Sequence, residues 1–296
     1  MNDKQSSLWS LPQPAIAFGF ATLAATAISY DWAYADELTA SLLFLPIPLL
    51  LLAEWLMPKR ADWSLNWRDL AEDSFWVFAT YLIWVPLFNE HYDTPISEAF
   101  VFIRDAAAFP FALEATTVPG LILCAMIALV ASEFIYYWIH RLQHRVMFFW
   151  RMHATHHHIV KMSVARADRT HPLEFFGLSL GSTIALALLG ASADVIAVTL
   201  VFRLTCAHIN HCNLPFTPGI FGVIFTTPTW HQVHHSLRID QSNSNFGCVV
   251  ILWDRVFGTF DGSMEIEHLG NGSGKPLSIE MQLTMAFRSN ETLKTL

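Results

Sequence analysis

Histidine is concentrated in one stretch of this sequence. Of the 14 histidines in the chain, 12 lie between His140 and His235. Ten of these form four groups, His140-x3-His144, His153-x2-His156-His157, His208-x2-His211 and His231-x2-His234-His235. Residues three and four apart share a helix face, and neutral imidazole is a common ligand of zinc, iron and copper. The spacing therefore predicts helices that each present a cluster of metal ligands.

This many imidazoles exceed the coordination shell of one ion, so the pattern predicts two metals. Any single group can be read as a pH-sensitive set of surface histidines, but helical spacing in three of them favours a shared site. Imidazole-rich sites suit zinc, copper, iron or nickel rather than calcium or magnesium, and the spacing does not choose between iron and zinc. The cysteines have no CxxC spacing and indicate neither a disulfide framework nor a zinc knuckle: Cys124, Cys206, Cys212 and Cys248.

The composition indicates that the elements carrying these histidines lie in a membrane. Of the 296 residues, 53% are hydrophobic and only 14% are charged, and the mean hydropathy is +0.38. A soluble domain carries about 25% charged residues to keep its surface wetted. The net charge of −8 leaves no basic patch, so we expect no nucleic-acid partner. The same numbers exclude disorder, collagen and coiled coil.

Six apolar runs are candidates for membrane-spanning helices, each of which needs about 20 residues. They are residues 14–30, 38–57, 75–88, 118–139, 173–189 and 193–207. The apolar segment 100–113 contains Arg104 and Asp105 and predicts an interfacial helix. Residues 1–7 are polar, without a signal-peptide pattern. The expected fold is an all-α polytopic bundle of about six spans, with a helical cap that carries the histidines.

Basic residues in the loops orient this bundle, because they accumulate on the cytoplasmic side. The loops after the second and fourth spans hold Lys59, Arg60, Arg68, Arg141, Arg145, Arg151, Lys161, Arg166 and Arg169. The opposite loops, 31–37 and 89–117, carry only Arg104. We therefore expect a multi-pass integral membrane protein with both termini and the histidine site on the cytoplasmic side.

Short motifs accompany the histidines in a fixed order. The boxes read Tyr137-Trp138-x-His140-Arg141-x2-His144, His153-x2-His156-His157 and Trp230-His231-x2-His234-His235. Arg169-x-His171-Pro172-x-Glu174 and His211-Cys212-Asn213 follow the second box, and Asn245-Phe246-Gly247 and WDRVFGTF at 253–260 follow the third. This ordered set resembles the histidine boxes of the fatty acid hydroxylase/sterol desaturase superfamily, over about residues 133–260.

The resemblance implies a membrane-embedded, O2-dependent non-haem di-iron enzyme that hydroxylates or desaturates a C–H bond of a lipid. By the family pattern the metal ligands are His140, His144, His153, His156, His157, His231, His234 and His235, with His211 as a ninth. The implied cofactors are two iron ions, with O2 as cosubstrate. Purified protein can carry zinc instead, because zinc lies above ferrous iron in the Irving–Williams order. Sterols, hopanoids, fatty acyl chains and alkylglycerols are all substrates of histidine-box enzymes.

The remaining histidines carry different expectations. His208 departs from the family's middle motif, being one residue short of its HxxxH spacing, and is included as a further metal ligand. His158 is expected outside the ligand set, because the HxxHH pattern is complete without it. His171 precedes a proline in a loop, which favours a supporting role. The isolated His91 and His268 are typical of surface residues.

Several polar residues near the boxes are candidates to orient the imidazoles from outside the ligand set. They are Glu133, Asp168, His171, Glu174, Asn213, Asp240 and Asn245. Each acid can instead pair with a nearby arginine, among Arg141, Arg166, Arg169 and Arg238.

The electrons for such a reaction are expected from a separate donor, of the ferredoxin, cytochrome b5 or similar reductase type. The sequence has no GxGxxG fingerprint between a strand and a helix, no cytochrome b5 domain and no ferredoxin cysteine set. Residues 270–274 are a glycine-rich turn or linker. A membrane lipid is the other expected partner.

Two functions of other classes stay open from the sequence. A metal transporter, or a histidine-rich metal-binding membrane protein, would place histidines at mid-membrane, whereas these clusters follow the span ends. A zinc-dependent hydrolase would need HExxH or a general-base glutamate inside a box, and neither is present. By motif content the chain divides into N-terminal spans (1–117), a catalytic region (118–262) and a cytoplasmic tail (263–296).

Overall fold

The computed structural model describes residues 7–270 and 273–295, so part of the predicted turn at 270–274 lies outside the described residues. The described part is helical, with one isolated β-bridge between Ser236 and Leu269. Its α-helices are α1 Pro12–Ser29, α2 Ala35–Phe44, α3 Pro46–Leu56, α4 Trp67–Ala79, α5 Val85–Phe88, α6 Thr94–Ala106, α7 Val118–Arg145, α8 Met147–His157, α9 Phe175–Leu178, α10 Leu180–Leu188, α11 Ala193–His211, α12 Pro228–His234, α13 Ile239–Ser242, α14 Leu252–Phe257, α15 Ile279–Thr284 and α16 Asn290–Thr295. The fold class is therefore all-α, as expected.

Three helical stretches are long and apolar enough to cross a membrane: Ala35–Leu56, Val118–Arg145 and Ala193–His211. The first consists of α2 and α3, which join at Leu45 with Pro46 in the first turn of α3. A proline fits there because a first-turn N–H has no intrahelical acceptor. The stretch Pro172–Leu188 is apolar but shorter.

The predicted third span and the start of the predicted interfacial helix belong to one helical run. The π-helical segments Thr80–Trp84 and Asn89–Asp93 connect α4, α5 and α6, so the backbone is helical from Trp67 to Ala106. Proline removes an intrahelical hydrogen bond, and Pro86 and Pro95 each follow a π segment that widens the turn. The run ends before Ala108, which has φ of 51°, so the second half of the predicted interfacial helix is not helical.

Six helical segments have one end at the same face of the bundle, which we call the histidine face. Gln13 in α1 donates to Asn210 near the end of α11 at 3.1 Å. Glu54 near the end of α3 accepts from the backbone of Asn213 at 2.9 Å. Three more segments reach this face: the run 67–106 and the stretch 172–188 at their starts, and α7 at its end. The ion pairs and imidazoles described below place them there.

The opposite face is closed by backbone contacts between the loop before α7 and the turn between α10 and α11. Leu113 donates to the Leu189 carbonyl at 3.1 Å, and Ser192 donates to the Leu113 carbonyl at 3.0 Å. Gly190 in this turn has φ of 58°, and a Cβ there would lie 2.5 Å from the Arg104 guanidinium. Glycine is therefore required at 190 by both its backbone angle and this close approach.

The C-terminal segment packs against the helix of the second box. Gln282 in α15 accepts from the indole of Trp76 at 2.9 Å, and its carbonyl accepts from Thr155 in α8 at 2.8 Å. Met285 and Leu293 pack with Ala154 in a small apolar cluster. The described part of the predicted tail thus covers the outside of α8.

Candidate metal centre

Nine histidine side chains converge at the histidine face in two groups. Within each group the ligand nitrogens lie within 4.8 Å of one another. The five-histidine group consists of His140, His144, His153, His157 and His234, and the four-histidine group consists of His156, His211, His231 and His235. All of them are buried except His144, which is half-buried. The nine ligands that the family pattern implied are thus placed together.

Helix geometry divides each box between the two groups. In α8, His153 and His157 enter the five-histidine group, whereas His156 enters the other. In the third box, His231 and His235 share the four-histidine group, whereas His234 enters the first. On a helix of 3.6 residues per turn, positions i and i+4 are about 40° apart, whereas i+3 lies about 60° to the other side. One box can therefore face two sites.

The inward-facing ring nitrogens of each group lie so close to one another that no other protein atom fits between them. His140 Nε2 lies 2.9 Å from His153 Nε2 and 3.0 Å from His234 Nε2. In the other group, His211 Nε2 lies 3.0 Å from His231 Nε2. Lone pairs of neutral imidazoles that converge in this way repel one another unless a cation lies among them. The donor set therefore fits borderline transition metals that accept nitrogen ligands.

Backbone carbonyls fix several rings from outside. The Nδ1 of His140 lies 2.5 Å from the Phe246 carbonyl, and the Nδ1 of His234 lies 2.7 Å from the Ser244 carbonyl. Such an acceptor holds the proton on Nδ1, which leaves the Nε2 lone pair facing inward. His211 is held similarly, by a carbonyl of its own helix.

One ring is oriented by a carboxylate. The Nδ1 of His153 hydrogen-bonds to Glu174 Oε1, and both side chains are buried. The 3-10 turn Pro172–Glu174 positions this acid, at the start of the apolar stretch that leads into α10. Of the predicted orienting residues, Glu174 is thus the one whose carboxylate contacts an imidazole of either group.

Burial keeps these imidazoles neutral. It lowers the pKa of His153, His156, His157, His231, His234 and His235 well below the usual value, and neighbouring imidazoles lower it further. Loss of solvation disfavours the charged form of a base. Because only the neutral ring has a free lone pair, these side chains are in the ligating form at neutral pH.

Other predicted orienting residues hold the segments that carry the boxes. Glu133 accepts from the backbone of Val249 at 2.7 Å and pairs with Arg203 at 3.2 Å. The amide of Asn245 donates to the Trp230 carbonyl at 3.0 Å, directly before His231.

Three further predicted residues do not contact the imidazole groups. Asp240 pairs with Arg238 in an exposed ion pair. His171 accepts from the backbone of Leu173 and contacts the Leu283 carbonyl. Asn213 hydrogen-bonds to the backbone N–H and carbonyl of Arg60, and so it ties the loop after α3 to the end of α11.

His208 lies outside both groups, although it was included among the predicted ligands. Its Nε2 contacts Asp168 Oδ2 at 3.2 Å, and Asp168 Oδ1 accepts from Tyr81 at 2.7 Å. It lies three residues before His211 on α11, which places it at a different angle around the helix. His158 is also outside both groups, and His91 and His268 are exposed.

Two sets of residues at the site carried no role in the sequence prediction. Asp254 accepts from the backbone of Phe246 at 2.8 Å and of Gly247 at 2.7 Å, and burial raises its pKa to about 6. It therefore shapes the loop whose carbonyl holds His140. The sequence signal for this role was the motif Trp253-Asp254-Arg255, which contains the aspartate.

The second set ties the run 67–106 to the loop after α8. Arg166 pairs with Asp69 at 2.8 Å and with Asp73 at 3.2 Å, and Arg169 pairs with Asp73 at 2.6 Å. All four side chains are buried. The acids had no sequence signal, because they lie in a run that contains none of the motifs.

The fold and the site together define a helical membrane protein with a buried, histidine-rich centre that can hold metal ions. Residues 125–259, a little under half of the chain, match the fatty acid hydroxylase family model.

Three curated relatives illustrate the family's range. The chain is 37% identical over 140 residues to an ornithine lipid hydroxylase from Rhizobium tropici, covering 46% of this chain and 41% of that protein. It is 32% identical over 139 residues to an alkylglycerol monooxygenase from Homo sapiens, covering 47% and 31%. It is 26% identical over 193 residues to a very-long-chain aldehyde decarbonylase from Oryza sativa subsp. indica, covering 58% and 29%. The match thus spans less than half of each relative, and no solved structure matches the chain.

Proposed function

We propose that this protein is a membrane-bound lipid hydroxylase that uses two iron ions and O2. The observation that carries the proposal is the convergence of nine imidazoles, eight of them buried, in two groups inside the region that matches the fatty acid hydroxylase family model. The similarity to an ornithine lipid hydroxylase and to an alkylglycerol monooxygenase supports hydroxylation over desaturation. A membrane lipid is the substrate, and a separate protein supplies the electrons.

Each imidazole group would hold one ion. Iron supplies the reductive activation of O2; in hydroxylation one oxygen atom enters a C–H bond and the other leaves as water, with consumption of two electrons and two protons. The protein's own task is to hold the ions, to place the lipid and to exclude water. Burial of the imidazoles serves the exclusion of water, and Glu174 and the carbonyls of Phe246 and Ser244 keep the rings in place.

The test measures metal and product in the same samples. The membranes are compared for wild type, His231→Ala and the exposed control His268→Ala. We expect two iron ions per wild-type chain, O2 uptake, and a host lipid that gains one oxygen atom. His231→Ala should lose product and much of its metal, whereas His268→Ala should keep both. One ion or none in active protein, or metal flux without O2 uptake, would contradict the proposal.

We also propose six spans, with both termini and the histidine face in the cytoplasm. The end-to-end alternation of six helical segments between the two faces supports it, as do the basic residues near the histidine face. The helix α1 has 18 residues, about 27 Å at 1.5 Å per residue, which is close to the ~30 Å hydrocarbon core. The catalytic region is then residues 118–262, between N-terminal spans and a cytoplasmic tail.

Cysteine labelling tests this topology. Single cysteines replace Asp36 and Glu98 at the predicted outer side and Arg288 at the histidine face. A membrane-impermeant maleimide should label the first two in intact cells and Arg288→Cys only after lysis. The reverse pattern would show that the histidine face is external.

A further inference from the structure

A cavity with both polar and apolar walls lies beside the span α11, away from the histidine face. Its volume is about 460 Å³, and the run 67–106, α10 and α11 border it. Its polar walls include Asn89, Asp93, Arg104, Ser179, Thr183 and Arg203. Ionisable residues at membrane depth are rare, and where they line a cavity they usually serve a ligand or ion. We call this cavity the polar cleft.

The inner end of the polar cleft approaches the metal centre. Arg203 lies eight residues before His211 on α11, which is about 12 Å along the helix. Its guanidinium lies 5.4 Å from the centre of the Tyr136 ring. The Tyr136 ring lies 5.3 Å from the His140 ring. One side chain, that of Tyr136, therefore stands between the cleft wall and the five-histidine group.

The cleft contains a carboxylate without a cationic partner. Asp93 Oδ1 accepts from Thr183 at 3.1 Å, whereas the Ser179 hydroxyl donates to the Phe175 carbonyl of its own helical stretch. Within residues 7–270 and 273–295, no lysine or arginine forms a salt bridge with Asp93. By contrast, Arg203 is neutralised by the buried Glu133. A cation that entered the cleft would find its counter-ion at Asp93.

The outer end of the cleft offers a guanidinium with spare donor capacity. Arg104 pairs with Asp105 at 3.1 Å and donates to the Phe111 carbonyl at 2.9 Å. Its Nε is buried, and no acceptor for it exists among the described residues. Arg104 lies on α6 three turns beyond Asp93, since 11 residues span about 16 Å in a helix. Arg104 therefore bounds the cleft on its outer side, too far from Asp93 to contact the same small headgroup.

We infer that the polar cleft binds the headgroup of the lipid substrate, and that this headgroup carries an ammonium group held by Asp93. The inference rests on the proposed function, because it takes the occupant of the cleft to be the substrate. Binding at Asp93 leaves the rest of the lipid to extend along α11 towards Tyr136 and His140. The reactive carbon is then presented from the membrane side of the imidazoles.

Competition between two lipids tests the inference on purified, metal-loaded full-length protein. The protein is equilibrated with equal amounts of phosphatidylethanolamine and phosphatidylglycerol, and native mass spectrometry counts the lipids retained. Both lipids carry a phosphate, and only the first carries an ammonium. We expect wild type to prefer phosphatidylethanolamine about tenfold, the scale of one charge-assisted hydrogen bond. Equal retention of the two lipids would overturn the inference.

Variants of Asp93 test whether this residue causes the preference for phosphatidylethanolamine. Asp93→Asn should lose it and Asp93→Glu should restore part of it. Glu98→Gln, an exposed position on the same helix that does not line the cleft, should keep it. A preference that survives in Asp93→Asn protein with full metal content would overturn the inference. So would displacement of the lipid by equimolar soluble phosphoethanolamine, because the cleft would then bind a free zwitterion.

The two proposals fail in different ways. If wild type selects the ammonium lipid through Asp93 but no lipid is oxidised, the binding site is supported, while its assignment to the substrate and the hydroxylase proposal are both overturned. If lipid is oxidised and Asp93→Asn changes neither lipid retention nor the KM for that lipid, the hydroxylase proposal stands and the cleft inference is overturned.

Discussion

Adjacent histidines in the second box have different surroundings. His157 belongs to the five-histidine group and stacks on His235 with ring centres 4.4 Å apart. His158 caps the end of α8 outside both groups, and its ring lies 6.4 Å from that of Trp150. Burial lowers the pKa of His158 to about 4, so it is neutral without being in the ligand set. Neutrality and burial alone do not make a histidine a ligand; direction towards the group does.

Replacing His157 and His158 separately by alanine should therefore give different results. His157→Ala removes one of the five converging imidazoles, so metal content and product should both fall strongly. His158→Ala should keep substantial metal and lose activity only moderately. Iron content and product yield, matched for expression, are the measurements. Full metal loss in His158→Ala with retention in His157→Ala would show that the register of the second box is wrong by one residue.

The carboxylate of Glu174, which hydrogen-bonds to His153, should affect metal binding almost as strongly as a metal ligand does. Glu174→Gln keeps the shape of the side chain but offers His153 a weaker acceptor. Loss of such a partner typically lowers metal affinity or activity about 10- to 100-fold. Iron titration and turnover on the same preparation check this, with exposed Glu98→Gln as the control. Unchanged affinity and turnover in Glu174→Gln would show that the hydrogen bond does not orient the ring.

At the residue scale, the sequence reveals motifs but does not reveal which side chains contact one another. The nine converging histidines could be named from the sequence because they match the histidine boxes and the HxN motif of the family that the chain resembles, whereas His208, which departs from that pattern, was wrongly included with them. The division of each box between two groups needs the direction of each helix, and the place of His208 needs its partner Asp168. Asp254 acts through backbone amides, which leave no trace in side-chain chemistry.

At the scale of elements, the apolar runs of the sequence located the helices but did not predict well where each helix begins and ends. The spans containing Leu50, Leu129 and Phe202 are present as long helices with those residues in the core. The prediction divided the run 67–106 into a span at 75–88 and an interfacial helix at 100–113, and Pro86 and Pro95 both lie inside the continuous run. Its π segments allow the backbone to continue past both prolines. This continuity matters, since the run reaches from the histidine face to the polar cleft.

The acids at the start of that run should stabilise the loop after α8. Asp73 contacts both Arg166 and Arg169, and its removal takes one of two carboxylate partners from each buried guanidinium, which leaves Asp69 and Glu72. Leaving a buried charge wholly unpaired costs about 3–5 kcal/mol, and the remaining carboxylates make the cost of this variant smaller. We expect Asp73→Asn to lower the unfolding temperature clearly and to reduce iron content through loss of loop order. Thermal unfolding in detergent, followed by tryptophan fluorescence, is the measurement.

The control for Asp73→Asn is Asp62→Asn. Asp62 pairs with Arg60 at 2.7 Å, but its side chain is 61% exposed. Exposed pairs contribute about 0–1 kcal/mol, so this variant should unfold near the wild-type temperature. Equal shifts in the two variants would show that burial of the Asp73 network adds no stability.

At the scale of the whole molecule, the metal centre joins parts of the chain that are far apart in sequence. The two imidazole groups draw on α7, α8, the end of α11 and the third box, from His140 to His235. The sequence predicted that these segments converge, because their histidines share a chemical role. It could not predict the polar cleft, which is formed by residues from three elements, such as Asp93, Thr183 and Arg203, that share no motif.

Removal of metal should therefore weaken the whole histidine face. A ligand that binds only the folded state stabilises it by RT ln(1 + [L]/Kd), about 2.7 kcal/mol at 100 Kd. Without metal, the converging imidazole lone pairs lose the cation between them, and the links between α7, α8 and α11 are weakened. We expect chelation to lower the unfolding temperature of wild type and to expose α8 and the third box to hydrogen exchange, with little change in α1. His231→Ala, depleted of metal from the start, should respond much less to the same chelator. An equal response in both proteins would mean that the chelator acts elsewhere and that the nine histidines hold the face together without metal.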